Sequence, residues 1–162
     1  MVRPVVDEDD FMWEGPSASH QFAVRNLAVA LMKHCPRRLE VLPGPLVVRP
    51  FNQCLIQPDV IVVQRTSMRP DGGPLTAPPV LIAEVIDKRS RAWDRQLKPM
   101  LYAMKGIEHY WHFDPETSEF VAYQLDSVAK YKKVVTAQGD ERVGFDAPVL
   151  VEICPARLRF KA

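Results

Sequence analysis

Residues 79–87 read Pro-Val-Leu-Ile-Ala-Glu-Val-Ile-Asp, and they place one carboxylate, Glu84, in the middle of an apolar run. A run of this length, rich in branched side chains and preceded by prolines, reads as a strand buried on both faces. An unpaired buried carboxylate costs several kcal/mol, and roughly 1–3 even when partly compensated. Any fold that this chain adopts must therefore bring a cation or a proton to Glu84. A second acid, Asp59, opens another branched strand, Asp59-Val60-Ile61-Val62-Val63. Two acids on neighbouring core strands suggest a site for a hard divalent ion. The plainer readings are a turn residue after Pro58 for Asp59 and a buried ion pair with an arginine for Glu84.

The bulk properties restrict the setting. The 162 residues suit one domain, 1–162, with residues 1–15 expected to be irregular. An apolar content of 47% and a charged content of 25% belong to an ordinary soluble domain. A formal net charge of +1 leaves nucleic acid as a partner neither favoured nor excluded, since a local basic face matters more than the total. Cys35, Cys54 and Cys154 are widely spaced and form no zinc-type pair, so they read as reduced thiols. The acidic start, Asp7-Glu8-Asp9-Asp10, is unlike a signal peptide, and no apolar stretch is long enough for a membrane span. A cytoplasmic protein is expected.

The element pattern predicts a helix from about Ser17, its cap, to His34, with Phe22, Val24, Leu27, Ala28, Leu31 and Met32 at helical spacing and Pro36 as the stop. Strands follow at 39–42, 45–50, 59–64 and 80–87, with a proline- and glycine-rich loop over 65–79. A helix over 91–105 ends at Gly106. An aromatic strand follows over 108–115, then strands near 119–125, 130–136 and 149–153. Alternation puts Tyr110 and His112 on one face of the aromatic strand, with His109 and Trp111 on the other, and neither histidine has zinc-ligand spacing. This order makes an α/β (α+β) sandwich with a mixed sheet.

The loop between Asp59 and Glu84 lets their strands pair as an antiparallel hairpin. That pairing brings both carboxylates within reach of one Mg²⁺ or Mn²⁺, which prefer oxygen ligands and keep several waters. The following helix adds Lys88, Arg89, Arg91, Arg95, Lys98 and Lys105, opposed only by Asp87 and Asp94. Asp94, Lys98 and Tyr102 lie at successive i,i+4 positions on one face. The bland reading is a solvated face with a weak ion pair. The sharper one places Lys98 over the metal, supporting charge on a phosphate or a water. Pro99 should kink the helix at this turn.

Five segments together resemble the Uma2 family (DUF820) of restriction-type endonucleases in the PD-(D/E)XK nuclease superfamily. These are Pro16-Ser17-(x2)-His20, Pro58-Asp59, Pro79 to Val85, Asp94-(x3)-Lys98-(x3)-Tyr102, and Gly106 to Pro115. The resemblance spans about residues 13–160. It implies a restriction-endonuclease-like αβββαβ core with extra C-terminal strands, Mg²⁺ (or Mn²⁺) on Asp59 and Glu84, and DNA as substrate. The superfamily's lysine normally lies two residues after the second acid, where this chain has Ile86. The resemblance therefore points to Lys98, with Lys88 as competitor. His20, Lys88, Arg91, Arg95 and Tyr102 are the candidate substrate contacts, and a homodimer would suit the cutting of two strands.

The expected function is accordingly a divalent-metal-dependent DNA endonuclease. The alternative is an inactive nuclease-fold protein that binds nucleic acid or another protein through its basic helix. A carboxylate-pair glycosidase is a third and weaker reading, with only Trp93 and Trp111 to offer a sugar platform.

Overall fold

A computed structural model describes residues 16–46, 48–51, 54–73, 75–87 and 93–160. Three helices and ten strands are formed among them. Helix α1 (Ala18–Met32) precedes β1 (Leu39–Pro43), β2 (Val48–Phe51), β3 (Cys54–Ile56), β4 (Val60–Gln64) and β5 (Leu81–Val85). Helix α2 (Lys98–Met104) then leads to β6 (His109–Asp114), β7 (Glu119–Leu125), β8 (Tyr131–Gln138), β9 (Val143–Phe145) and β10 (Val151–Ile153). A short α3 (Pro155–Leu158) follows. Ser17 caps α1, its hydroxyl accepting the His20 amide at 3.1 Å.

The main sheet has the order β1-β4-β5-β6-β7-β8. All its pairs are antiparallel except β5 with β6, which are parallel and joined through α2. Strand alternation sorts the apolar residues into two cores. Val60, Val62, Leu81, Ala83, Val85, Trp111 and Phe113 face α1, where Ala23, Val24, Leu27 and Leu31 meet them. Ile61, Val63, Ile82 and Tyr110 face α2 and pack with Tyr102. Each fully buried Leu, Ile, Val or Phe contributes on the order of 1.5–3 kcal/mol, so both faces are firmly held.

The sequence reading differs from this fold in definite ways. Strand β5 stops at Val85, two residues short of the expected end. A separate β2–β3 hairpin lies between β1 and β4, and β9–β10 form another small sheet. The expected helix over 91–105 is split: Trp93–Leu97 form a π-helical turn, and the α-helix begins only at Lys98. Pro99 explains the division. It falls in the first turn of α2, where its missing amide costs little. In a continuous helix from 91 it would have removed an internal hydrogen bond.

Two local features bear on stability. Gly44 donates its amide to the Asp59 carbonyl at 2.7 Å, and a Cβ at Gly44 would stand 2.8 Å from the Pro58 carbonyl oxygen. His112, on the α2 side of β6, is 5% exposed, and neither ring nitrogen has a hydrogen-bond partner among the described residues. Burial, followed by the charge of Arg95 and against the opposing effect of Asp114, lowers its pKa to about 4.

Gly44→Ala is expected to cost about 1–3 kcal/mol by forcing backbone apart. Urea denaturation checks this, and an unchanged midpoint would mean that the contact relaxes freely. For His112 the folded pKa is depressed, so its contribution is present above about 6.5 and is lost as pH falls through 6.5 towards 4. In His112→Leu, the stability lost between pH 7 and pH 4 should shrink by on the order of 3 kcal/mol. Equal acid limbs in chemical denaturation series would contradict it.

Candidate functional site

The antiparallel register pairs Val60 with Ala83, and one step further places Asp59 opposite Glu84. Asp59 shares its strand parity with Ile61 and Glu84 shares its parity with Ile82, so both fall on the α2 side of the sheet. Asp59 lies in the bend just before β4, and its main chain is fixed there by Gly44. Pairing of β5 with β6 sets His112 beside Glu84 on the next strand.

Glu84 is completely buried. Its two oxygens are served by one helix face. Lys98 Nζ donates to Oε2 at 3.0 Å, and the Tyr102 hydroxyl donates to Oε1 at 2.6 Å. The i,i+4 spacing of Lys98 and Tyr102 makes this possible, since it stacks them one turn apart. The start of α2 at Lys98 decides where that face points. Burial raises the Glu84 pKa to about 8. The Lys98 charge and the two hydrogen bonds pull it down, while the negative charge of Asp59 pushes it up. Tyr102 is pushed up as well, by burial and then by Glu84.

Asp59 is less enclosed, with its side chain 22% exposed. Its Oδ2 accepts the Val85 amide at 2.8 Å and lies 3.3 Å from His20 Nε2. Burial works against a charged His20, yet the contact and charge of Asp59, helped by Asp87, hold its pKa above 6.5.

Four of the residues singled out from sequence, Asp59, Glu84, Lys98 and Tyr102, thus meet at one end of the β4–β5 pair, and His20 joins them through Asp59. Tyr102 is fully buried behind Glu84. Arg95 instead reaches the next strand, where it donates to Asp114 Oδ2 at 2.9 Å and approaches Glu119 at 3.5 Å. Lys88 and Arg91 lie outside the described residues. The buried Asp114 was missed in the sequence. It also accepts the amides of Glu116 and Thr117 on Oδ1, so it caps the turn after β6 while anchoring Arg95. The available signal was the one that marked Glu84, an acid closing an apolar aromatic strand.

The donor set fits a hard cation. Asp59 and Glu84 offer carboxylate oxygens, each Glu84 oxygen keeps a lone pair beyond its one hydrogen bond, and Asp59 Oδ1 has no hydrogen bond among the described residues. No group of three or more His, Cys, Asp and Glu able to hold a metal occurs among the described residues. Two carboxylates with water completing the shell is the arrangement typical of Mg²⁺ rather than of zinc.

Comparison with known proteins bears on the family and the fold. Residues 7–150 match the model of the Uma2 family, described as "putative restriction endonuclease". A crystal structure from Anabaena variabilis, described as a putative nuclease belonging to DUF820, superposes with a TM-score of 0.69 at 14% identity. The match covers 88% of this chain and 81% of that one, and it establishes a shared fold. No curated protein matches the chain. No helix among the described residues is long and apolar enough to cross a membrane. With the family match extending over most of its length and the fold shared as well, the chain belongs to the Uma2 family.

Proposed function

We propose that this protein is a divalent-metal-dependent DNA endonuclease in which Asp59 and Glu84 hold Mg²⁺ or Mn²⁺. The observation that carries this reading is the Glu84 carboxylate, wholly buried opposite Asp59 and held by a lysine and a tyrosine from one helix turn. The family description supplies the reaction class. A divalent ion would supply Lewis acidity towards a phosphodiester and make water a better nucleophile.

The chain's own residues do the rest. Tyr102 and Lys98 fix the Glu84 carboxyl in one orientation, so it cannot swing away when a cation or substrate arrives. Lys98 carries a charge at the floor of the site, where it stabilises negative charge building on the scissile phosphate. Burial strengthens that effect, because water does not screen it. Hydrolysis adds water across the P–O bond: the water oxygen joins phosphorus, the leaving oxygen takes up a proton, and no electrons are transferred.

A second reading, a non-catalytic nucleic-acid or protein binder, has one observation in its favour. Lys98 and Tyr102 already serve both oxygens of Glu84, so the fold can stand without a metal. Against it, Arg95 is engaged with Asp114 and Glu119, which reduces the free charge of the helix.

Calorimetric titration with Mn²⁺ separates the two. Wild type should bind, and Glu84→Gln should bind more than about 100-fold more weakly, with Mg²⁺-dependent nicking of supercoiled plasmid lost as well. Identical absence of binding in both would leave the second reading. Since the ion must displace the proton that Glu84 holds up to about pH 8, apparent affinity should rise about tenfold per pH unit below 8 and then level off. A pH-independent affinity between 6 and 8 would contradict this linkage. Lys98→Met should cut more slowly by about 10²–10³ even at saturating Mn²⁺. Nicking at the wild-type rate would exclude Lys98 from the chemistry.

A further inference from the structure

Asp59 is held by one of its oxygens only. Oδ2 takes the Val85 amide from β5 and faces His20 Nε2 from the first turn of α1, whereas Oδ1 has no hydrogen bond among the described residues. The two groups come from different layers. Helix α1 packs on the opposite face of the sheet from α2, and His20 is the position from which it reaches the acid end of β4.

His20 is itself well fixed. It is 8% exposed, its amide is tied to the Ser17 hydroxyl, and the apolar stripe of α1 is buried behind it. Facing a carboxylate oxygen, Nε2 must carry a proton, since two acceptors so close would repel. This holds whether the ring is neutral or charged. Nδ1 is buried and has no partner among the described residues, so the polar surroundings of the ring lie on the side of Asp59, where the Val85 backbone and the charge of Asp87 also act on it. With Oδ2 accepting the Val85 amide and closed in by Nε2 at 3.3 Å, the carboxylate is hindered from rotating about Cβ–Cγ, and its other oxygen acquires a set direction.

We propose, building on the metal-site reading above, that His20 is a positioning residue for Asp59: with the Val85 amide it fixes Oδ2 and leaves Oδ1 as the oxygen presented to a divalent cation shared with Glu84. His20 itself touches neither cation nor DNA. This replaces the substrate contact expected from sequence with a role behind the ligand. It also explains why a helix on the far face of the sheet carries a buried polar side chain at its first turn.

The test is Mn²⁺ titration of the full chain by calorimetry, with the melting temperature of each sample recorded. His20→Ala should weaken Mn²⁺ binding by about 10–100-fold. His20→Gln, whose carboxamide N–H can take the place of Nε2–H, should recover most of that loss. His20→Asn, too short to reach, should behave like the alanine variant whatever its melting temperature. Wild-type affinity in a folded His20→Ala or His20→Asn overturns the proposal and leaves His20 a stabilising core residue. A folded His20→Gln that binds as weakly as His20→Asn overturns it too. If His20→Ala does not fold, the glutamine and asparagine variants decide. The parent reading fails separately, through absence of Mn²⁺ uptake by the wild type, and takes this proposal with it.

Discussion

The buried carboxylate of Glu84 is the constraint around which the site is arranged. An acid in the centre of a six-stranded sheet has no access to water, so whatever stabilises its charge must come from the chain or be bound by it. Helix α2 answers with Lys98 and Tyr102, one turn apart. The answer is incomplete, for burial and the neighbouring Asp59 still hold the group at about 8. A structural ion pair could be replaced by apolar packing at little cost. Keeping a carboxyl there, half compensated and opposite a second acid, fits a place where positive charge comes and goes.

The surrounding fold can be understood as what holds this arrangement in register. Gly44 permits the close approach that fixes the Asp59 main chain. The β4–β5 register puts the two acids opposite one another. The π-helical turn before Lys98 sets the point at which α2 starts, and so which side chains meet Glu84. Such turns are common near functional sites, because one widened turn re-aims every residue after it. On the far side, Arg95 ties the same turn to the buried Asp114 at the end of β6. The site is therefore braced from three strands and two helices, which is how a scaffold holds reacting groups within a fraction of an ångström.

Much of this was legible in the sequence, and for definable reasons. The two acids stand out because charged residues rarely interrupt apolar runs, and the pairing of Lys98 with Tyr102 follows from helical spacing. Alternation assigned Tyr110 and Trp111 to opposite faces correctly. The misreadings came where the decision is not local. Nothing in residues 45–56 announces a separate hairpin, and a π-helical turn has no composition of its own. Arg95 looked like part of a free basic face, since its partners Asp114 and Glu119 lie on later strands. The contact of His20 with Asp59 was hidden for the same reason, since only the folded chain brings α1 to that acid.

The most direct test of the account is the titration of the Glu84 carboxyl itself, followed by carbon-13 NMR on selectively labelled protein with and without saturating Mg²⁺. The account predicts a midpoint near 8 in the free protein, falling by several pH units when Mg²⁺ is present. A midpoint in the ordinary glutamate range, about 4.3, or one that Mg²⁺ does not move, would contradict it.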